Sequence, residues 1–399
     1  MKGSTSGAVR HWSIAIAVVL LFAAGPSIAD VTVERGSSII VFPKVIFDSG
    51  AVTGKPAVDT IIQITNTSNS IVFAHCYYIN ALPVDPRFPP SETNPPRWQE
   101  INFDIFLTKQ QPTHWLVGSG RNQFPNDDVC YGDGDMVIER DCNGAGFDPG
   151  LIPLTTDPFA GELRCIEVDS SGAPINGNHL KGEATIVANA DVPALSLERT
   201  EISKYNALGI LGLNTDLNSN NSDQILCLGG DVRPGCRNGA EYNGCPDKVF
   251  LNHFGEGADH PVVTEFGDTS FATTELTLVP CTQDLENLVR PKVTVQFAIT
   301  NEFEELFSAS TTVDCWGNFF LGEVAFSIFQ ESTLGTRFAH TQMSSPPDHP
   351  GFIGVAEEYY FAPYTEGAPE ESPLTRAALN LFGKGQRPNG DIMTVQEAR

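Results

Sequence analysis

The chain has 399 residues, with 49 acidic against 24 basic side chains and a formal charge of −25. A polyanion repels nucleic acid and anionic membrane surfaces, so neither is expected as a partner, and this length is long for one hydrophobic core, so two domains are expected. The 36 Gly and 28 Pro are scattered without a period, at a density below that of disordered chains, and a folded protein is expected.

Residues 1–29 read as an export signal. Lys2 and Arg10 give a positive start with no acidic residue. Residues 13–25 are apolar but too few to cross a bilayer core of about 30 Å as a helix. Ser27 and Ala29 then place small residues for cleavage before Asp30. No later segment is apolar for long enough to span, so no membrane insertion is expected after signal cleavage. The expected location is secreted, periplasmic or cell-surface.

Beyond the signal, short β-rich runs recur between Gly, Pro, Asn and Asp. Runs 31–34 and 38–47 come first. In 58–65, Val58, Thr60, Ile62 and Ile64 fall on one face, and this alternation predicts a strand with one buried side. The run closes on Ile64, Thr65 and Asn66, passes a polar turn at 67–70, and enters a second β-rich run reaching Cys76 and Tyr77. A Pro-rich loop at 83–96, a strand at 102–108, a Gly/Asp-rich loop at 124–150 and strands at 163–168 and 183–188 complete the first half. Residues 194–203 are expected as a short helix. In the second half, 271–279 and 319–329 are expected strands. In 293–299, Val293, Val295, Phe297 and Ile299 oppose Thr294, Gln296 and Ala298. That run closes on Ile299, Thr300 and Asn301, turns at 302–305, and leads to Cys315 and Trp316. We expect one hairpin used twice, about 235 residues apart, hence two related β domains, although two unrelated hairpins would look much the same. Residues 373–382 read as a short helix. From 344 onward Pro, Gly and polar residues dominate, which suggests a tail or a wrapping strand.

The stretch 64–69, Ile-Thr-Asn-Thr-Ser-Asn leading into a strand, resembles immunoglobulin-like β-sandwich modules of bacterial exported and surface proteins. Runs 161–169 and 178–188 are similar in style to exported proteins of environmental bacteria. The resemblance implies a fold and a compartment and brings no catalytic residue. A Cys…Trp…Cys arrangement at antibody spacing is absent, so an antibody-type domain is not implied. The expected fold is all-β, with two immunoglobulin-like antiparallel β-sandwich domains (30–200 and 201–343), long loops and a Pro-rich C-terminal tail (344–399).

The cysteines are Cys76, Cys130, Cys142, Cys165, Cys227, Cys236, Cys245, Cys281 and Cys315. An odd number leaves one thiol unpaired, and the pairing is not deducible from sequence. Proximity suggests Cys130 with Cys142, Cys76 with Cys165, Cys281 with Cys315, and two of Cys227, Cys236 and Cys245 with each other. Cys227, Cys236, Cys245 and His253 are zinc-type ligands in order, but their wide gaps lack the close pairs of zinc ribbons, and disulfides in an oxidising compartment fit better. Ca2+ is the one cofactor the sequence offers. Asp216, Asn218 and Asn220 match the first oxygen positions of an EF-hand loop, yet its Gly and terminal Glu are missing. Asp127, Asp128, Asp133 and Asp135 surround Cys130 and could hold Ca2+ in a tethered loop. A solvated turn and an exposed acidic loop are the simpler readings.

Signatures of a nucleophile elbow, a zincin helix, a dinucleotide fold and a phosphate loop are absent. Carboxylates such as Glu302, Glu304, Glu305, Glu357 and Glu358 could form the pair a glycosidase needs, but sequence alone does not bring two together. His75, His114, His253 and His260 have no identifiable partner, and His75 shares a face with Ile71, Phe73 and Tyr77, as a half-buried histidine would. Trp98, Trp115 and Tyr359, Tyr360 and Phe361 lie in or near expected loops, where aromatics stack on sugars or anchor partners, although core packing is the commoner fate. The leading expectation is a non-catalytic surface or extracellular structural or binding protein with a protein or glycan ligand. Its expected recognition surfaces are loops 83–96, 124–150 and 215–243. The alternatives are a secreted carbohydrate-active hydrolase using a carboxylate pair and a calcium-dependent binding module.

Overall fold

A computed structural model describes residues 31–121, 149–192, 197–213, 225–229, 241–259, 271–324, 328–361, 373–385, 391 and 393–395. The described chain is all-β and sandwich-like. Sheet 1 runs in the order β4 (Gln99–Leu107), β3 (Val72–Asn80), β6 (Phe159–Val168), β1 (Ile39–Phe47) and β9 (Leu208–Ile210). Sheet 2 is β5 (Pro112–Leu116), β2 (Val58–Asn66), β7 (Leu180–Val192) and β8 (Leu197–Asn206). Sheet 3 is β15 (Leu306–Asp314), β14 (Lys292–Asn301), β17 (Phe338–Ser344), β10 (Lys248–Phe254) and β20 (Phe382–Lys384). Sheet 4 is β11 (Ala258–Asp259), β12 (Phe271–Pro280), β18 (Phe352–Phe361) and β19 (Pro373–Asn380), with β16 (Gly317–Phe320) also on β12. A short parallel pair joins β13 (Gln283–Asp284) to β21 (Met393–Thr394).

Three cores account for this arrangement. Sheets 1 and 2 enclose Ile40, Phe42, Ile62, Ile64, Leu163 and Ile186. Sheets 3 and 4 enclose Val249, Leu251, Leu276, Val295, Phe297 and Ile299. A third core sets Ile39, Val41, Ile79 and Ile166, from the opposite face of sheet 1, against Val279 and Ile353 of sheet 4. Sheet 1 is therefore covered on both sides along β1 and β6. That is why β6 is buried along its whole length, where a half-exposed strand would alternate.

Cys76 and Cys165 stand opposite each other in the β3–β6 ladder and form a disulfide within sheet 1. Cys281 pairs with Cys245, not with Cys315, which is a buried free thiol. Cys227 is also disulfide-bonded, while the expected Cys130–Cys142 pair and Cys236 lie outside the described residues.

Other expectations need correction. The proposed repeated hairpin is two different structures. β14 and β15 form a true hairpin, in register from Lys292↔Asp314 to Thr300↔Leu306. β2 and β3 instead lie in different sheets, so 67–71 is an arch between layers. What the two share is the asparagine. Asn66 accepts from Ser68 N (2.8 Å) and donates to Ser70 O (2.7 Å), and Asn301 accepts from Phe303 N (2.9 Å) and Glu305 N (2.9 Å). A buried Asn side chain starts the same turn in both places. The next strand's destination is set by tertiary pairing, with β3 drawn between β4 and β6.

The helices expected at 194–203 and 373–382 are, where described, strands β8 and β19, each laddered onto a long neighbour. Residues 319–329 do not form one strand: β16 ends at Phe320 and a helical turn, Leu321–Val324, follows. The segment beyond 344 is not a tail, since β18 pairs with β12 over ten residues and its first half is buried. The boundary placed at 200 falls inside β8.

Candidate functional site

A sealed ionic cluster lies where sheets 1, 2 and 4 meet. It begins with a bulge in β1, where the register with β6 shifts between Phe42 and Val45. Pro43 has no N–H to give the ladder, so a proline inside a strand suits a bulge. The freed backbone groups find side-chain partners. The Tyr205 hydroxyl of β8 accepts from Lys44 N (3.2 Å) and donates to Lys44 O (2.5 Å). Trp316 Nε1 donates to Pro43 O at 2.7 Å.

The bulge turns the Lys44 side chain toward sheet 4. Its ammonium is fully enclosed and forms ion pairs with Glu275 of β12 and Glu357 of β18. Tyr359 Oη donates to Glu275 (2.8 Å) and Glu357 (3.0 Å), Asn318 Nδ2 donates to Glu275 (2.6 Å), and Ser203 Oγ donates to Glu357. Arg376 Nη1 of β19 stands 4.0 Å from Glu357. Burial alone would push the Glu357 carboxyl up, but Lys44 and Arg376 outweigh it and hold the group at about 2. Burial likewise opposes the charge on Lys44, and the two glutamates overcome it, so Lys44 is held well above its ordinary value. Lys44 and Glu357 are therefore both charged at neutral pH. Removing one member of such a buried pair strands the other and costs about 3–5 kcal/mol.

A second buried pair supports the same junction. Arg164 and Glu162 of β6 are 3.2 Å apart with no exposed side chain, Gln283 donates to Glu162, and Arg164 Nη2 reaches Pro280 O (3.4 Å).

An open cleft of about 950 Å3 lies at one end of sheet 4, lined by Glu256, Glu323 and Glu331 with Phe320 and Phe361. Glu256 accepts from Thr273 Oγ1 (2.5 Å) and Thr274 N (3.3 Å). Its carboxyl is raised, first by burial and against those hydrogen bonds, with Glu323 adding to the rise. A carboxyl raised by burial beside other carboxylates lining one cavity is an arrangement from which a glycosidase pair can be built.

Asp127, Asp128, Asp133, Asp135, Asp216, Asn218 and Asn220 lie outside the described residues, as does His260. Cys245 cannot serve a zinc site with His253. Its sulfur is in the disulfide, and His253 is buried in the sheet 3–4 core against Thr341 Oγ1 (2.8 Å), where burial lowers its pKa to about 4. Cys245, Cys281 and Asp391 cluster closely enough for a metal, but both sulfurs are spent on each other. His75 is held by Asp104 (2.6 Å) beside Tyr77, and His114 is exposed. Trp98 and Trp115 are core residues, and Tyr359, Tyr360 and Phe361 belong to β18. Of the candidate carboxylates, Glu357 is in the sealed cluster, and Glu302, Glu304 and Glu305 occupy the exposed β14–β15 turn. Sequence reasoning missed Lys44. The available signal was Pro43-Lys44 inside an otherwise apolar run.

No protein-family model and no curated protein matches the chain. Among solved structures, it is similar to the top component of cowpea mosaic virus, naturally occurring empty particles, at 10% identity, covering 94% of this chain and 99% of that chain with a TM-score of 0.15. A likeness at that level carries no argument.

Proposed function

We propose that this is an exported, disulfide-stabilised, non-catalytic structural or binding protein. Its architecture is read as two immunoglobulin-like sandwiches, sheets 1 with 2 and sheets 3 with 4, fused into one rigid scaffold. The observation that carries this reading is the enclosure of the Lys44 cluster. Lys44, Glu275 and Glu357 face one another across layers, not the cleft. Charges placed so hold elements in register and leave no reacting position for a substrate. Disulfides within sheet 1 and between Cys245 and Cys281 fit an oxidising destination.

The cleft favours a second reading, a secreted hydrolase acting on carbohydrate through a carboxylate pair that includes Glu256. Incubation with a panel of polysaccharides, followed by a reducing-end assay, separates the two. The proposed function predicts no release above background. Release that Glu256→Gln abolishes would replace it with the hydrolase.

A further inference from the structure

The outward face of sheet 3 brings together rings, amides and ammonium groups. Val249, Leu251 and His253 of β10 point into the core, so Lys248, Phe250, Asn252 and Phe254 point out. The ladders extend this face sideways. Phe382 and Lys384 of β20 stand opposite Phe250 and Lys248, and Gln342 and His340 of β17 stand opposite Phe250 and Asn252.

Three features of the face belong together. The first is a row of rings: Phe250 stacks on His340 with centroids 5.5 Å apart and planes 19° apart, Phe382 follows at 6.1 Å, and Phe382 is 69% exposed. The second is the set of amides beside the rings, Asn252, Gln342 and, one strand further, Gln296 across from Ser344. The third is charge. The chain has 49 acidic residues, yet the outward positions of β10, β14, β17 and β20 carry none. Two carboxylates border the face: Asp314 of β15, held by Lys292 at 3.1 Å, and Asp247, which precedes Lys248 and lies against Gly385. Lys248 and Lys384 stand directly opposite each other and have no carboxylate partner among the described residues. Like charges facing across a ladder are destabilising, so the fold itself gains nothing from them.

We propose that this face is a docking platform for an acidic polysaccharide, one bearing uronate groups. The proposal rests on the non-catalytic binding reading and names its ligand and its surface. The two ammonium groups meet carboxylates. The exposed Phe382 ring offers an apolar plane to the C–H face of a sugar ring. The amides exchange hydrogen bonds with hydroxyls. With strands about 4.8 Å apart, the surface from β20 to β17 accommodates a short run of sugars lying across the sheet. Charge decides the sign of the ligand: Lys248 and Lys384 attract carboxylates at this face, against the long-range repulsion of a chain of −25 that also keeps a second copy away. The amides argue against a lipid surface, where they would lose water and find no partner.

The test is affinity electrophoresis and titration calorimetry of the full secreted chain with polygalacturonate, with dextran as the neutral control and phosphatidylglycerol vesicles as the anionic lipid control. Three proteins are compared: wild type, Phe382→Ala, and the double variant Lys248→Glu/Lys384→Glu. All three substituted positions are exposed, and unchanged melting curves verify folding. Expected is binding to polygalacturonate that weakens about tenfold or more in each variant and fades with added salt, with none to dextran or vesicles. No binding by wild type overturns the proposal, as do variants that bind as tightly as wild type, equal binding to dextran, or preference for vesicles. Reducing ends are measured in the same mixtures. Hydrolysis lost in Glu256→Gln would overturn the non-catalytic reading alone, while the two platform variants would still decide the platform.

Discussion

At the scale of single residues, Lys44 is the side chain on which the junction depends. Lys44→Ala leaves Glu275 and Glu357 buried with one cation fewer, and the expected loss is about 3–5 kcal/mol in urea unfolding. A loss under 1 kcal/mol would show that the cluster is solvated. The acid limb of stability has a definite sign. Glu357 is depressed to about 2 in the folded protein, so its contribution is complete above the unfolded carboxyl value near 4.5 and is lost as pH falls toward 2. Glu357→Gln should flatten that part of the curve. Glu358 runs the other way. Burial raises it to about 6, so the folded state takes up a proton that the unfolded chain does not, and this group favours folding more as pH falls from 7 to 5. Comparing wild type with Glu358→Gln isolates that slope from the opposing one of His253, whose neutral imidazole disfavours folding as pH drops below its unfolded value.

At the scale of elements, the two asparagines offer a matched pair of tests. Asn66 bridges the start of an arch to the end of β4 through Leu107 O (3.3 Å) and Thr108 O (2.9 Å), whereas Asn301 closes a hairpin and reaches Leu334 O (2.7 Å). Both side chains are buried, and their replacement by Ala strands several backbone groups. Each should cost about 1–3 kcal/mol, and a neutral effect at either would show that water replaces the side chain. Alternation made β2 and β14 legible because each has one buried face. The same rule failed for β8. Its inward residues are Glu201, Ser203 and Tyr205, of which Ser203 and Tyr205 bond the Lys44 cluster, and with Leu and Arg nearby the segment imitates a helix. β19 failed alike: the helix-forming Leu374, Arg376, Ala377 and Leu379 are overridden by the ladder to β18. The bulge at Pro43 was readable as a break in a strand. Its partners were not, because Glu275 and Glu357 lie 231 and 313 residues away and nothing local links them. The platform on sheet 3 was hidden for the same reason, since Phe250 and Phe382 meet only through the ladder.

At the scale of the whole molecule, three contiguous cores and two buried ion pairs predict that the layers unfold together. Sheet 1 packs on sheet 2 and, through its other face, on sheet 4. Calorimetry should give one transition whose calorimetric and van't Hoff enthalpies agree, and two separated transitions would mean that the junction is weak. The cross-links add to this. Cys76–Cys165 spans 89 residues, and removing it by paired Ala substitution should cost about 4–5 kcal/mol in the chain-entropy account. Cys315 should stay silent, because burial and the neighbouring Asp314 push its thiol up. The most direct measurement is non-reducing peptide mapping of the protein, alkylated first in its native state and again after denaturation. The predicted result is linked peptides for Cys76–Cys165 and Cys245–Cys281, with Cys315 modified only in the second step. Free thiols at Cys76 and Cys165, or a Cys281–Cys315 link, would contradict a scaffold cross-linked in this way.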